Sequence, residues 1–321
     1  MKNSHLKPAG RAVRLSIFSL LAALLLAGTT FWGIPKVEAN HPVLVEGNCD
    51  SPVPGTTLVA PGTCGDFDGD GRIGTAEDTD GADRIFGTLR AALGTGTGAA
   101  SGTGANFNGK IIIVTSGRFY ELLYIGNPPP NGGGAGTANP GNVTIEAAPG
   151  VEANLDAVFQ GDPTSGNNAR QDRPGIIINY LPAFSDRVVT LRNLTIRNYL
   201  VGVDILSSSR VNIDNCRFEN NARSNIRVRD GSMVVVTNSQ VQSAGFRIGT
   251  LPAPGEPGDG IQVSSVAKLR VADTTISHNK GAGINNEAPA ANVVLFKVST
   301  YFNTPDFVGS VTIAPDPNHS F

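Results

Sequence analysis

The chain has 321 residues and a formal net charge of −2, and only 16% of its residues are charged. A nucleic-acid-binding protein needs a basic surface, so this charge balance argues against that class. The 39 glycines and 21 prolines are typical of many short strands joined by turns. Only 6% of the residues are aromatic, which predicts a core filled by Val, Ile and Leu.

The first 39 residues have the pattern of a secretory signal peptide. A basic start is followed by an apolar run over residues 16–32, and small residues before Asn40 fit a cleavage site. The alternative is an uncleaved membrane anchor, although the run is at the short limit for a spanning helix. The sequence has no second run of this kind, so we expect an exported, soluble mature protein that begins near Asn40 and does not bind membranes.

The three cysteines are assigned separately. Cys49 and Cys64 flank a segment rich in Pro and Gly, and export permits a disulfide between them, although the sequence leaves their pairing open. Cys216 lies within a repeat that has no nearby His. It is therefore predicted to be a small buried residue and not a catalytic thiol.

Residues 40–81 are predicted to form an irregular N-terminal arm that contains a calcium loop. Residues 66–77, DFDGDGRIGTAE, match the twelve-residue EF-hand loop, with carboxylates at alternate positions, glycine at the sharp bend and a closing glutamate. The predicted Ca2+ ligands are Asp66, Asp68, Asp70, the Arg72 carbonyl and Glu77. A single loop predicts a structural site that ties the arm to the body. The alternative is an acidic, solvated loop without metal.

The segment 82–93, ADRIFGTLRAAL, is predicted to be a helix that caps the open end of a stack. Its apolar residues recur at the spacing of one helical face, and Gly94 can end the helix.

A short motif recurs along the second half of the chain. Its copies are centred on Asn193, Asn215, Asn238, Asp273 and Val298, at steps of 22, 23, 35 and 25 residues. Each copy alternates apolar and polar residues, which predicts short strands. A repeat of this length predicts stacked units, none of which can bury its apolar face alone.

This order of features resembles the right-handed parallel β-helix proteins of the pectate-lyase-like superfamily. The resemblance covers roughly residues 82–313 and includes the strand at 109–114 and the coils with a G-[IV]-x-[IV] strand. It implies an all-β solenoid of about seven coils with an N-terminal capping helix, spanning residues 82–321. It also implies that Asn193, Asn215 and Asn238 form a structural ladder of stacked amides at one turn.

Outward residues of successive coils are predicted to form columns on one sheet. One column reads Ile177, Asp204, Arg227, Gln262 and Asn285, and Arg229 lies in the column beside it. Two insertions, Gly161–Pro174 and Gly245–Gly258, enter just before this sheet and are expected to wall a groove. A polar groove of this kind suits an extended polysaccharide. The alternative is that Asp204 and Arg227 are only a surface ion pair.

The resemblance is weaker for activity than for fold. Lyases of the superfamily need several acidic calcium ligands and an Arg base, whereas its hydrolases carry Gly-His-Gly and its epimerases Asp-Pro-His, and neither motif occurs in this sequence. If the protein is a polysaccharide lyase or glycoside hydrolase, the candidate catalytic residues are Asp204, Arg227, Arg229 and Asp259. The leading hypothesis is a secreted protein that binds or processes an extracellular polysaccharide. The alternative is a non-catalytic surface, structural or adhesive protein.

Overall fold

The computed structural model describes residues 43–45, 53–54, 84–86, 89–93, 109–119, 121–126, 141–157, 173–180, 185–246, 257–264, 266–289 and 292–315. All of them lie in the unit Asn40–Phe321. The predicted signal segment, Cys49, Cys64 and the loop 66–77 lie outside these residues. Across the described ranges, no helix is long and apolar enough to cross a membrane.

The described chain consists almost entirely of short strands. In chain order the elements are β1 (Val43–Val45), β2 (Val53–Pro54), β3 (Arg84–Phe86), α1 (Leu89–Ala92), β4 (Gly109–Ile113), β5 (Gly117–Phe119), β6 (Leu123–Gly126), β7 (Val143–Ala147), β8 (Ala153–Asp156), β9 (Ile176–Asn179), β10 (Val188–Arg192), β11 (Leu194–Arg197), β12 (Val201–Leu206), β13 (Arg210–Asp214), β14 (Arg217–Glu219), β15 (Ser224–Val228), β16 (Met233–Thr237), β17 (Gln240–Gln242), β18 (Asp259–Val263), β19 (Lys268–Ala272), β20 (Thr275–Ser277), β21 (Ile284–Asn286), β22 (Val293–Phe296), β23 (Ser299–Tyr301), β24 (Phe307–Val308) and β25 (Thr312–Ile313).

These strands form three sheets, and each coil contributes one strand to each sheet. In the described residues, sheet A has the order β2-β3-β1-β4-β7-β10-β13-β16-β19-β22-β25, sheet B runs from β5 to β23, and sheet C runs from β6 to β24. All pairings are parallel except β2 with β3. Sheets B and C each have seven described strands, so the predicted parallel β-helix of about seven coils is confirmed.

The prediction of one helix over residues 82–93 is wrong. Arg84–Phe86 is strand β3, which pairs in parallel with β1, and the helix is limited to Leu89–Ala92. Pairing at the sheet edge satisfies the backbone groups of this segment, and such tertiary contacts override the weak helical preference of a short apolar pattern. Leu89 is buried, and its backbone N–H donates to Glu121 Oε1 at 2.9 Å.

The core is a stack of inward-facing apolar columns. Val203 and Ile205 on β12 are in register with Ile226 and Val228 on β15, which are in register with Ile261 and Val263 on β18. All six side chains are fully buried, as period-2 alternation predicted. Every coil therefore depends on its neighbours for burial of its inner face.

The turn from sheet A to sheet B places one residue per coil in the left-handed region. Asn193, Asn215 and Asn238 have φ of 57°, 50° and 51°, a conformation that asparagine tolerates better than most residues. Asn215 Nδ2 donates to Asn193 Oδ1 at 2.8 Å, as the predicted ladder requires. Asn238 Nδ2 donates instead to Asp214 Oδ1, so the ladder does not continue to this residue.

A second amide ladder, which the sequence pattern does not predict, is buried at the corner between sheets B and C. Asn221 Nδ2 donates to Asn225 Oδ1 at 2.8 Å, Asn225 Nδ2 to Asn279 Oδ1 at 3.2 Å, and Asn279 Nδ2 to Asn303 Oδ1 at 2.8 Å. We call these four residues the inner ladder. They also bond to backbone groups of the adjoining coils, so they fix the corner that leads into sheet C.

Candidate functional site

The predicted outward column on sheet C is present in the structure. Ile177, Asp204, Arg227, Gln262 and Asn285 are successive register partners on β9, β12, β15, β18 and β21. Arg229 directly follows β15, and its N–H donates to Ile205 O on the adjacent coil. The column therefore gathers charged and amide side chains from several coils on one surface.

Asp204, Arg227 and Arg229 form one cluster, which we call the Asp204 cluster. Arg227 donates to Asp204 through Nε at 2.9 Å to Oδ1 and through Nη2 to Oδ2. Arg229 donates through Nε at 3.1 Å to Oδ1 and through Nη2 at 2.8 Å to Oδ2. Two bidentate guanidinium groups thus share one carboxylate, and the cluster has one net positive charge.

Burial makes this cluster more than an ordinary surface ion pair. The Asp204 side chain is 3% exposed, that of Arg227 is 13% exposed and that of Arg229 is 32% exposed. A carboxylate this far from water is stabilised by the four N–H donors around it. Arg229 is the cation that solvent and a ligand can reach most easily.

Asp259 is not part of the Asp204 cluster. Its Oδ1 accepts from the Ala282 N–H and its Oδ2 from Asn285 Nδ2, both at 2.9 Å. On β18 it lies three residues before Gln262, the register partner of Arg227, and two strands from Asp204. Strand geometry then separates the Asp204 and Asp259 Cα atoms by roughly 14 Å. The bonds of Asp259 stabilise the turn before β21 and the strand itself.

Comparison with known protein families identifies the type of fold that the stacked coils form. Residues 164–300 match the family model of the right handed beta helix region. This part of the chain is a right-handed β-helix. Comparison with curated proteins and with solved structures gave no match. The match agrees with the three parallel sheets and with the right-handed crossover that nearly all parallel strand connections adopt. It supports the predicted resemblance in fold.

The acidic side chains of the β-helix are dispersed or already paired. Among the described residues, no group of three or more His, Cys, Asp or Glu side chains is placed to hold a metal ion. Both oxygens of Asp204 accept from arginine, and both oxygens of Asp259 accept from amide groups. The predicted ligands of the 66–77 loop lie outside the described residues.

Sheet B carries a chain of ion pairs that was not among the predicted features. Arg197 Nε is 2.8 Å from Asp156 Oδ2 and its Nη1 is 3.4 Å from Glu219 Oε1, while Arg217 Nη2 is 2.7 Å from Glu219 Oε2. Arg197, Arg217 and Glu219 help to line a cleft of about 650 Å³ at the corner with sheet A. The sequence contained part of the signal, because Asp156, Arg197 and Glu219 are successive register partners on β8, β11 and β14.

Cys216 is a buried free cysteine, as the sequence predicted. Burial raises the pKa of its thiol to about 12, so the nucleophilic thiolate is scarce at neutral pH. Its backbone N–H donates to Ser239 Oγ at 3.1 Å, and its Sγ donates to the Asp214 carbonyl. The residue therefore contributes to the stack of small side chains beside the turn.

Proposed function

We propose that this exported β-helix protein binds an acidic polysaccharide along sheet C. The observation that carries the proposal is the Asp204 cluster, in which one carboxylate fixes two guanidinium groups that retain a net positive charge. The Nη1 atoms of Arg227 and Arg229 are not used by Asp204. Arg229 is the more exposed of the two, and its Nη1 can donate to a carboxylate of a uronic-acid residue, for which a planar guanidinium is well suited.

The polar column beside the cluster supports a chain-like ligand. Gln262, the register partner of Arg227 on the next coil, has a side chain that is only partly buried. Asn285 follows on the next strand. Adjacent strands are about 4.8 Å apart, so a polymer lying along this column contacts polar side chains from several coils. A single small ligand would use only part of this surface.

Binding is favoured over cleavage because the acidic groups of the site are occupied. A general base or nucleophile needs an oxygen that is accessible to the substrate. Each oxygen of Asp204 accepts two guanidinium N–H groups. In this arrangement Asp204 positions Arg227 and Arg229 and does not itself act on a substrate.

Replacing Arg229 with glutamine is expected to weaken binding of polygalacturonate by about tenfold or more, because a charge-assisted hydrogen bond contributes about 1.5–3 kcal/mol. Arg227 keeps its bonds to Asp204 in this variant, so the fold should remain intact. Isothermal titration calorimetry with the full chain measures the change, and a neutral polysaccharide of similar length tests the need for carboxylates.

A matched control for this experiment is Arg192→Gln on sheet A. Arg192 is paired with Glu146 and Asp214, and its replacement changes the net charge by the same amount. Equal weakening by both substitutions would show a non-specific charge effect and contradict a site on sheet C. If the wild-type protein binds no polysaccharide, the proposal is wrong and a structural or adhesive role is favoured.

We further propose that the loop 66–77 binds a structural Ca2+ ion. Substituting Asp68 with alanine is expected to abolish the increase in stability that calcium confers on the wild-type protein. That increase is about 2.7 kcal/mol when free calcium is a hundredfold above its dissociation constant. Thermal unfolding with calcium and with a chelator measures it. Asp230→Ala, at an exposed acid of the β-helix, is the control; an equal response to calcium in wild type and Asp68→Ala would exclude the site.

A further inference from the structure

The last two coils expose a cluster of aromatic rings. The His278 ring centroid is 5.5 Å from that of Tyr301 and 5.0 Å from that of Phe302, and the Tyr301 and Phe302 centroids are 5.5 Å apart. Phe302 is 75% exposed, and His278 and Tyr301 are also exposed. Rings of this size are usually buried, so their contact with one another at the surface is informative.

Phe246, on the preceding coil, completes a cleft with this cluster. The cleft has a volume of about 490 Å³, and its lining includes Phe246, His278 and Phe302 together with Lys280 and the hydroxyl residues Ser243 and Thr304. We call it the aromatic cleft. Its volume is within the range of small-ligand sites, and its described lining contains a cation but no acidic residue.

The backbone at this place indicates that the exposed rings are not required by the fold. One residue per coil, directly after each sheet B strand from β11 to β23, adopts a left-handed φ: Asn198 (64°), Asn220 (58°), Ser243 (55°), His278 (56°) and Phe302 (56°). Small polar residues fill this position in the earlier coils, whereas bulky side chains there are rare and strained. Phe302 gains little burial to offset that strain, which suggests a role in binding.

The chemistry of the aromatic cleft fits a sugar ring that carries a carboxylate. The C–H face of a sugar can pack on an exposed aromatic ring, while its hydroxyl groups bond to Ser243 and Thr304. The Lys280 ammonium complements a carboxylate. An apolar ligand would leave the polar side chains of the lining unused, and a simple anion would leave the aromatic faces unused.

We propose that the aromatic cleft is a subsite for one uronic-acid ring of the acidic polysaccharide. The ring packs on Phe302, and its carboxylate pairs with Lys280. This inference rests on the proposed function and extends the binding surface beyond the Asp204 cluster. Lys280 lies four residues before β21, the strand that carries Asn285 of the outward column, so the cleft is beside the start of a sheet C strand.

Phe302→Asn tests the subsite without straining the turn, because asparagine occupies the equivalent left-handed position at Asn198 and Asn220. The substitution is expected to weaken polygalacturonate binding by roughly fivefold, since an aromatic contact contributes about 0.5–1.5 kcal/mol. Lys280→Gln, a second variant that leaves the turn unchanged, should weaken binding to a similar degree. Ile313→Asn removes an equally exposed apolar side chain from sheet A and should have no effect.

The outcomes separate this subsite from the proposed function. If Arg229→Gln weakens binding and neither Phe302→Asn nor Lys280→Gln does, the subsite is wrong and the site on sheet C stands. If the cleft variants weaken binding and Arg229→Gln does not, the subsite stands and the site on sheet C is wrong. If sedimentation shows that Phe302→Asn abolishes self-association without changing polysaccharide affinity, the cleft is a contact between copies and the subsite is overturned. Equal affinity for a neutral polymer overturns the assignment to a uronic acid.

Discussion

Phe218→Ala is expected to lower the free energy of unfolding by about 4 kcal/mol. Phe218 is fully buried on β14, where its register partners are Ile196 on one coil and Val241 on the next. Removing the ring leaves a cavity within the stack. The neighbouring coils are held at a fixed spacing by backbone hydrogen bonds on both sides, so they cannot close around the cavity, and the loss should be in the upper part of the usual range.

Phe218→Leu is the control, with an expected loss of roughly 1.5 kcal/mol because most of the apolar volume is kept. Equilibrium denaturation followed by circular dichroism and by tyrosine fluorescence measures both variants. The stability of a solenoid is approximately a sum of terms for each coil and each interface between coils. A defect in a central coil can therefore uncouple the two ends, in which case circular dichroism and fluorescence would report different unfolding transitions. A loss below about 1 kcal/mol for Phe218→Ala would show that the stack can relax around the cavity.

The coil architecture was predictable because two independent sequence signals agree. Period-2 alternation identified Val203 and Ile205 as inward-facing, and the repeated asparagine before sheet B fixed the same point in successive coils. Once these points are aligned, the register of the outward column from Asp204 to Gln262 follows. The structure shows that register on β12, β15 and β18.

The N-terminal segment could not be predicted in the same way, because it has no repeat to align. Ile85 and Phe86 fit one face of a helix, yet the same residues are part of β3 at the edge of sheet A. A short apolar run is compatible with both structures, and pairing with β1 decides between them. Sequence periodicity contains no information about that pairing.

The Asp204 cluster was only partly predictable. Sequence columns place Arg227 beside Asp204 but place Arg229 beside Leu206. Whether Arg229 extends into solvent or turns toward Asp204 is decided by side-chain rotamers, which the sequence does not specify. The structure shows that both guanidinium groups bond to the same carboxylate, and this leaves the cluster with its positive charge.

The inner ladder was missed because its members are unevenly spaced along the chain. An insertion lies between Phe246 and Pro257, and it separates Asn225 from Asn279 by 54 residues although their side chains bond. Asparagine in a turn-rich sequence is also usually interpreted as a solvent-exposed turn residue. Burial of Asn221, Asn225 and Asn279 is apparent only when the coils are stacked.

Asn279→Leu is expected to lower the free energy of unfolding by about 4 kcal/mol, because the loss of a buried polar partner costs about 1–3 kcal/mol for each group left unsatisfied. The Asn279 side chain accepts from the Ala244 N–H and from Asn225 Nδ2, and it donates to the Val241 carbonyl and to Asn303 Oδ1. Leucine has a similar size but provides none of these bonds. Asn279 is only 2% exposed, so water replaces these bonds poorly. Chemical denaturation measures the loss.

The outer turn provides the comparison that isolates burial. Asn215 also bonds to an asparagine of the neighbouring coil, but its side chain is exposed, so water can replace the bond to Asn193 that Asn215→Ala removes. That variant should cost about 1 kcal/mol, which includes the poorer fit of alanine to a positive φ. A loss for Asn279→Leu no larger than that for Asn215→Ala would mean that the corner adjusts to the missing amide. Stability would then come from the apolar columns, and the inner ladder would serve only to select the conformation of the turn that leads into sheet C.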